Sequence, residues 1–224
     1  MRFDRSRGWT IAAALVAGQA LASAVSSTDG VEVAQLPVFL NEVSGLAQSR
    51  TNPGVFWVHN DSGDEPRIYA VGRSGAWLGS YTLAGATAVD WEDMAIGPAA
   101  DGRSYLYLAD IGDNAGRRPS VRVYRVKEPV VDADQSPVVE TLSSVTAYDF
   151  VYEDGPRDAE GFMLDPLTNH FYVVSKREPD GNHLYRSVSP SDSRMNTLDR
   201  VGRFSVTGTT GADISPDGLQ VLIR

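Results

Sequence analysis

The 224-residue chain has no cysteine, only three histidines, and nine more acidic than basic side chains. Each shortage removes a class of protein. Without cysteine there are no disulfides, no thiolate zinc or iron–sulfur sites, no cysteine nucleophile and no lipidated N-terminal cysteine. A formal charge of −9 disfavours a sequence-independent hold on nucleic acid or on an anionic membrane surface. Cations and cationic ligands suit it better. There is no glycine-rich phosphate loop, no dinucleotide fingerprint and no G-x-S-x-G elbow, and His59, Asp61 and Ser62 lie too close in sequence to compose a catalytic triad. His170 and His183 flank strand-like runs and read as ordinary strand-end polar residues. With 42% hydrophobic residues the chain can still build a core.

Long apolar runs are also missing. The longest opens the chain, where Arg2, Arg5 and Arg7 precede an apolar stretch from Trp9 to Ala17 and then Ala22-Ser23-Ala24. That layout predicts a secretory signal peptide over residues 1–24, the apolar part being shorter than the roughly 18 residues a spanning helix needs. Cleavage would remove Arg2, Arg5, Arg7 and Asp4, taking the net charge from −9 to −11. The expected mature chain, residues 25–224, is an exported monomer of the periplasm or extracellular space with no stable membrane insertion. A retained membrane anchor is the alternative for the same segment.

Helical periodicity is almost absent from the remainder; a repeat is present instead. Glu42–Ala47, Asp90–Ala95, Asp158–Met163 and Thr210–Ser215 share one pattern, at spacings of 48, 68 and 52 residues when counted from Gly45 to Asp93, Gly161 and Asp213. Each is followed by a turn rich in Gly, Asn or Asp and then by a β-branched and aromatic run: 55–59, 105–109, 171–174 and 219–223. Third runs (67–71, 121–126, 183–187) and fourth runs (77–83, 145–152, 201–206) complete the first three repeats. The pattern predicts an all-β chain, a β-propeller of four-stranded antiparallel blades. Three full blades and half of a fourth are visible, which reads as a propeller truncated at its C-terminus, with residues 31–40 as a lone outer strand and 128–137 as an inserted loop. A compact four-blade closure is the other possibility.

In such blades the start of each inner strand and the end of the next strand share one mouth of the central channel. That gathers Glu42, Asp90, Glu92, Asp93, Asp158, Glu160 and Asp213 with Asn60, Asp61, Asp64, Asp110, Asp113, Asn114, Lys176, Arg177 and Arg224. Crowded carboxylates repel one another and are tolerated when a cation or a basic side chain neutralises them. The expected cation is calcium, which takes many oxygen ligands in flexible geometry.

Asp90-Trp91-Glu92-Asp93-Met94-Ala95, Asp110-Ile111-Gly112-Asp113-Asn114, Asn41–Leu46 and Trp57–Gly63 resemble a family of exported bacterial β-propellers, loosely phytase-like or esterase-like, from about residue 38 onward. Asp158-Ala159-Glu160-Gly161-Phe162 is more distantly similar to an element of β-propeller phytases. The resemblance implies a metal-dependent phosphoric-ester hydrolase acting on a small phosphorylated or ester substrate. It implies Glu42, Asp61, Glu92, Asp93, Asp110, Asp113 and Glu160 as calcium ligands and Lys176, Arg177 and Arg224 as substrate clamps. Glu92, Asp93, Lys176 and Arg177 are then the catalytic candidates. The competing reading is a non-catalytic propeller that binds a protein or cell-envelope partner, with structural ion pairs at the mouth.

Overall fold

The computed structural model describes residues 9–13, 25–27, 32–99 and 101–224. Among them are seventeen strands and no helix, hence no helix long and apolar enough to cross a membrane. Two short strands, β1 (Trp9–Ala13) and β2 (Val25–Ser27), come first. Then β3 (Val43–Gln48), β4 (Val55–Asn60), β5 (Arg67–Gly72) and β6 (Trp77–Leu83) pair antiparallel in sequence order.

The next meander is β7 (Trp91–Pro98), β8 (Ser104–Asp110), β9 (Val121–Lys127) and β11 (Val145–Tyr152), interrupted by β10 (Val138–Leu142). A third follows as β12 (Ala159–Leu164), β13 (Phe171–Ser175), β14 (His183–Ser187) and β15 (Asn196–Arg203). Residues 150–152 of β11 pair in parallel with residues 196–198 of β15, fusing the second and third meanders into one eight-stranded sheet. Its two end strands, β7 and β12, pack against each other, so this sheet curls nearly closed. The last sheet runs β16 (Ala212–Ile214), β17 (Gln220–Ile223), β1, β2.

The first turn of every meander contains a residue in the left-handed region: Gly54, Gly102, Asn169 and Gly218, with φ of 79°, 73°, 57° and 72°. Glycine and asparagine tolerate that backbone, which is why these turns were readable in advance. Alternating residues of each strand then fill the cores. Trp57, Ile68, Trp91 and Tyr124 lie between the first and second meanders. Phe150, Phe162, Phe171 and Tyr185 lie between the second and third, and Val174, Leu184, Ala212 and Val221 between the third and the last sheet. The inner strands consequently stand in series, β3 against β7, β7 against β12 and β12 against β16.

Two expectations need correction. Residues 32–40 form no strand; Leu40 bonds back to Pro37 and packs on Val58, Tyr69 and Val71, covering the otherwise bare face of the first sheet. The edge of β17 is taken by β1 instead. β15 begins at Asn196 rather than Val201, because the Asn196 amide donates to the carbonyls of Asp149 and Ser191 and draws the chain to β11. Residues 128–137 form the expected inserted loop, which leads into a further strand, β10, parallel to β6. Buried Glu128 anchors that loop by accepting from Ser49, Asn52 and the Trp57 indole. The expected signal segment, residues 1–24, lies outside the described residues except for the backbone of β1.

Candidate metal centre

Three of the inner strands carry the same irregularity. The register of β3, β7 and β12 slips between Val43 and Gly45, between Trp91 and Asp93, and between Ala159 and Gly161. The extra residue at each bulge is Ser44, Glu92 and Glu160. A bulge bends its strand and re-aims a side chain, and here it turns two glutamates toward the strand ends. Backbone bonds close the same mouth: Asp61 N–H to Glu42 carbonyl at 2.8 Å, Gly112 to Asp90 at 3.1 Å, and Lys176 to Asp158 at 3.1 Å. Ser44 uses its hydroxyl to bond the Glu92 carbonyl at 2.6 Å, tying β3 to β7.

Carboxylate oxygens of Asp61, Asp90 and Glu92 all lie within 4.8 Å of one another. Glu92 is only 3% exposed, yet its carboxylate receives no hydrogen bond and no ion pair among the described residues. Asp90's carboxylate receives none either, and Asp61 is bonded only by the N–H of Ser62. Burial, followed by repulsion from Glu160, Asp61 and Asp90, pushes Glu92 up to about 9. Burial and Asp61 also raise Asp90. Gly112 lies directly against this group: a Cβ there would stand 2.3 Å from Glu92 Oε1 and 2.4 Å from Asp90 Oδ2.

Glu92 also belongs to a second triad, with Asp158 and Glu160, whose oxygens again lie within 4.8 Å. This one is neutralised. The Lys176 ammonium contacts Glu160, and Arg177 Nε lies 3.1 Å from Asp158 Oδ2 while its Nη2 donates to Asn114 at 2.7 Å. The Asp113 N–H adds a 3.0 Å bond to Asp158 Oδ1. Burial raises Glu160, and Lys176 draws it back down.

The other expected ligands have different surroundings. Asp93 accepts backbone N–H groups from Met94 at 2.9 Å, Phe162 at 2.8 Å and Ala212 at 3.0 Å, so one carboxylate pins β7, β12 and β16 together. Burial nonetheless pushes it up to about 8. Asp110 is paired with Arg118 at 2.8 Å and caps the N–H groups of Val89 and Asp90. Asp113 accepts from the Arg118 N–H at 2.6 Å. Glu42 is exposed on the rim, and Arg224 is exposed at the end of β17, where its backbone bonds Thr210 and Gly211. His59 is fully buried, edge-on to Trp91 at 5.4 Å, and burial lowers it, so it belongs to the core.

The geometry therefore brings together Asp61, Glu92 and Glu160 with Lys176 and Arg177, and adds Asp90 and Asp158. Those two were legible at the mouth but absent from the expected ligands. Their signal is the repeat itself, since both stand two positions before a bulged glutamate. Gly112 and Arg118 gave no such signal. Three oxygen donors without histidine or sulfur suit a hard divalent cation, and the buried, unbonded Glu92 is the group that such an ion would satisfy. The sequence matches no protein-family model and no curated protein.

Proposed function

We propose that the chain is an exported β-propeller whose channel mouth binds a divalent cation, calcium, through Asp61, Asp90 and Glu92. The resemblance to exported bacterial propellers and the fourfold inner-strand pattern support the propeller reading; the site supports the cation. One observation carries it: a glutamate 3% exposed, facing two further carboxylates, with no donor or base bonded to it. Burying a carboxylate without a partner costs several kcal/mol or forces its protonation. A divalent ion removes both penalties.

Lys176 and Arg177, expected to clamp a phosphate, are engaged by Glu160 and Asp158. That favours the non-catalytic form of the reading, a cation-stabilised binding face for a protein or envelope partner, over a phosphoric-ester hydrolase. Thermal unfolding of the full chain in calcium and in chelator tests the cation. Any ligand of the native state alone raises the midpoint, so calcium should raise it by several degrees. An identical midpoint in both conditions would sink the proposal. Turnover of a generic phosphoester that vanishes with chelator would restore the hydrolase.

A further inference from the structure

The two overlapping triads differ by one side chain, and the difference fixes how many ions the mouth can hold. Glu92 is shared; Asp61 and Asp90 complete one triad, Asp158 and Glu160 the other. Both sets have ligand oxygens within the same 4.8 Å spread, so both offer a cation the same kind of nest. Only the second already has a positive group bonded to one of its acids, the Lys176 ammonium on Glu160. Lys176 has a side chain 21% exposed, reaches Glu160, itself 11% exposed, and is the base that draws Glu92 downward. Arg177, by contrast, is 53% exposed and reaches Asp158 from the solvent side.

We infer that Lys176 is a built-in counter-cation: its ammonium engages Glu160, a ligand that a second divalent ion would need, and so restricts the mouth to one. This deepens the cation reading and rests on it. The physical argument is one of exclusion. An ammonium and a divalent ion sharing Glu160 would repel at close range in a poorly hydrated setting, where such repulsion costs far more than in water. A flexible lysine stem delivers one compact charge without fixing the geometry of the acids around it. Lys176 is held where it is by its own backbone bond to Asp158 at 3.1 Å, so its side chain starts at the rim of the second triad.

Calorimetric titration with calcium chloride of the full chain reads the stoichiometry directly. The natural chain should bind one ion and Lys176→Met two, and adding Glu160→Gln to Lys176→Met should return the count to one. A natural chain that binds two ions, or a Lys176→Met chain that still binds one, overturns the inference while leaving the cation reading intact. A natural chain that binds none overturns the cation reading itself. If Lys176→Met is unfolded in chelator, the inference requires calcium to restore its cooperative unfolding. Failure to fold in both conditions counts against it.

Discussion

The two sides of the acidic mouth solve one electrostatic problem in different ways. Around Asp158 and Glu160 the charge is balanced from within, by Lys176, Arg177 and the Asp113 N–H. Around Asp61 and Asp90 no base is bonded to the acids among the described residues, although the carboxylates are just as close and Arg118 acts on Asp90 from a distance. Chance crowding of acids is ordinarily relieved by protonation, by exposure or by a neighbouring base. Around Asp61 and Asp90 the two aspartates are part-exposed and Glu92 is raised, but no base is bonded to any of the three acids among the described residues. A fold that spends a bulge, a glycine and a buried glutamate on an unbalanced cluster has left room for a cation.

The sharpest way to break the comparison is to remove the frame both sides share. Asp93→Ala leaves the N–H groups of Met94, Phe162 and Ala212 without their acceptor. At about 1–3 kcal/mol for each unsatisfied buried group, the loss should be 3 kcal/mol or more, measured by urea denaturation. A loss under 1 kcal/mol would mean that the three inner strands do not depend on this carboxylate. Gly112→Ala strikes the set of Asp61, Asp90 and Glu92, because the atoms nearest its methyl group, and overlapped by it, belong to Glu92 and Asp90. Calcium affinity should fall at least tenfold and stability by about 1–3 kcal/mol, with affinity partly regained when Glu92→Asp shortens the colliding side chain. Unaltered calcium binding in Gly112→Ala would remove Glu92 and Asp90 from the ligand set.

The repeat made most of this arrangement legible beforehand. Alternating β-branched and aromatic runs with Gly or Asn turns announced the strands, and the inner-strand pattern put Asp90, Glu92, Asp158 and Glu160 at one mouth. What stayed hidden depends on contacts between distant segments. Nothing local in Trp9–Ala13 tells that its backbone completes the sheet of β17, and an apolar N-terminal run looks the same in a leader as in a strand. Asp93 reads as a ligand because sequence shows a carboxylate's position but not which N–H groups reach it. Gly112 reads as one more turn glycine until the side chains above it are placed. Lys176 and Arg177 were legible as bases at the mouth, but their partners follow only from the approach of β12 to β13.

A smaller effect separates the two sides by pH. The fold raises Glu92 from 4.5 to about 9 and Asp93 from 3.8 to about 8. A carboxyl raised in this way contributes stability that is complete below its unfolded pKa and is lost as pH climbs through the folded value. In chelator the unfolding midpoint should therefore decline between about pH 5 and pH 9. Calcium favours ionised Glu92, so the calcium-induced rise should grow over the same interval. Glu92→Gln should flatten its share of the slope and leave the share of Asp93. A calcium effect that shrinks as pH rises would contradict this assignment.

The central claim, that Asp61, Asp90 and Glu92 form a cation site, is tested most directly by calorimetric titration of calcium into the natural chain and into Glu92→Gln at pH 8. The account predicts saturable binding to the natural chain and affinity at least tenfold weaker in Glu92→Gln, with the variant as stable as the natural chain in chelator or more so. No saturable binding to the natural chain, or equal affinity in both, would contradict it.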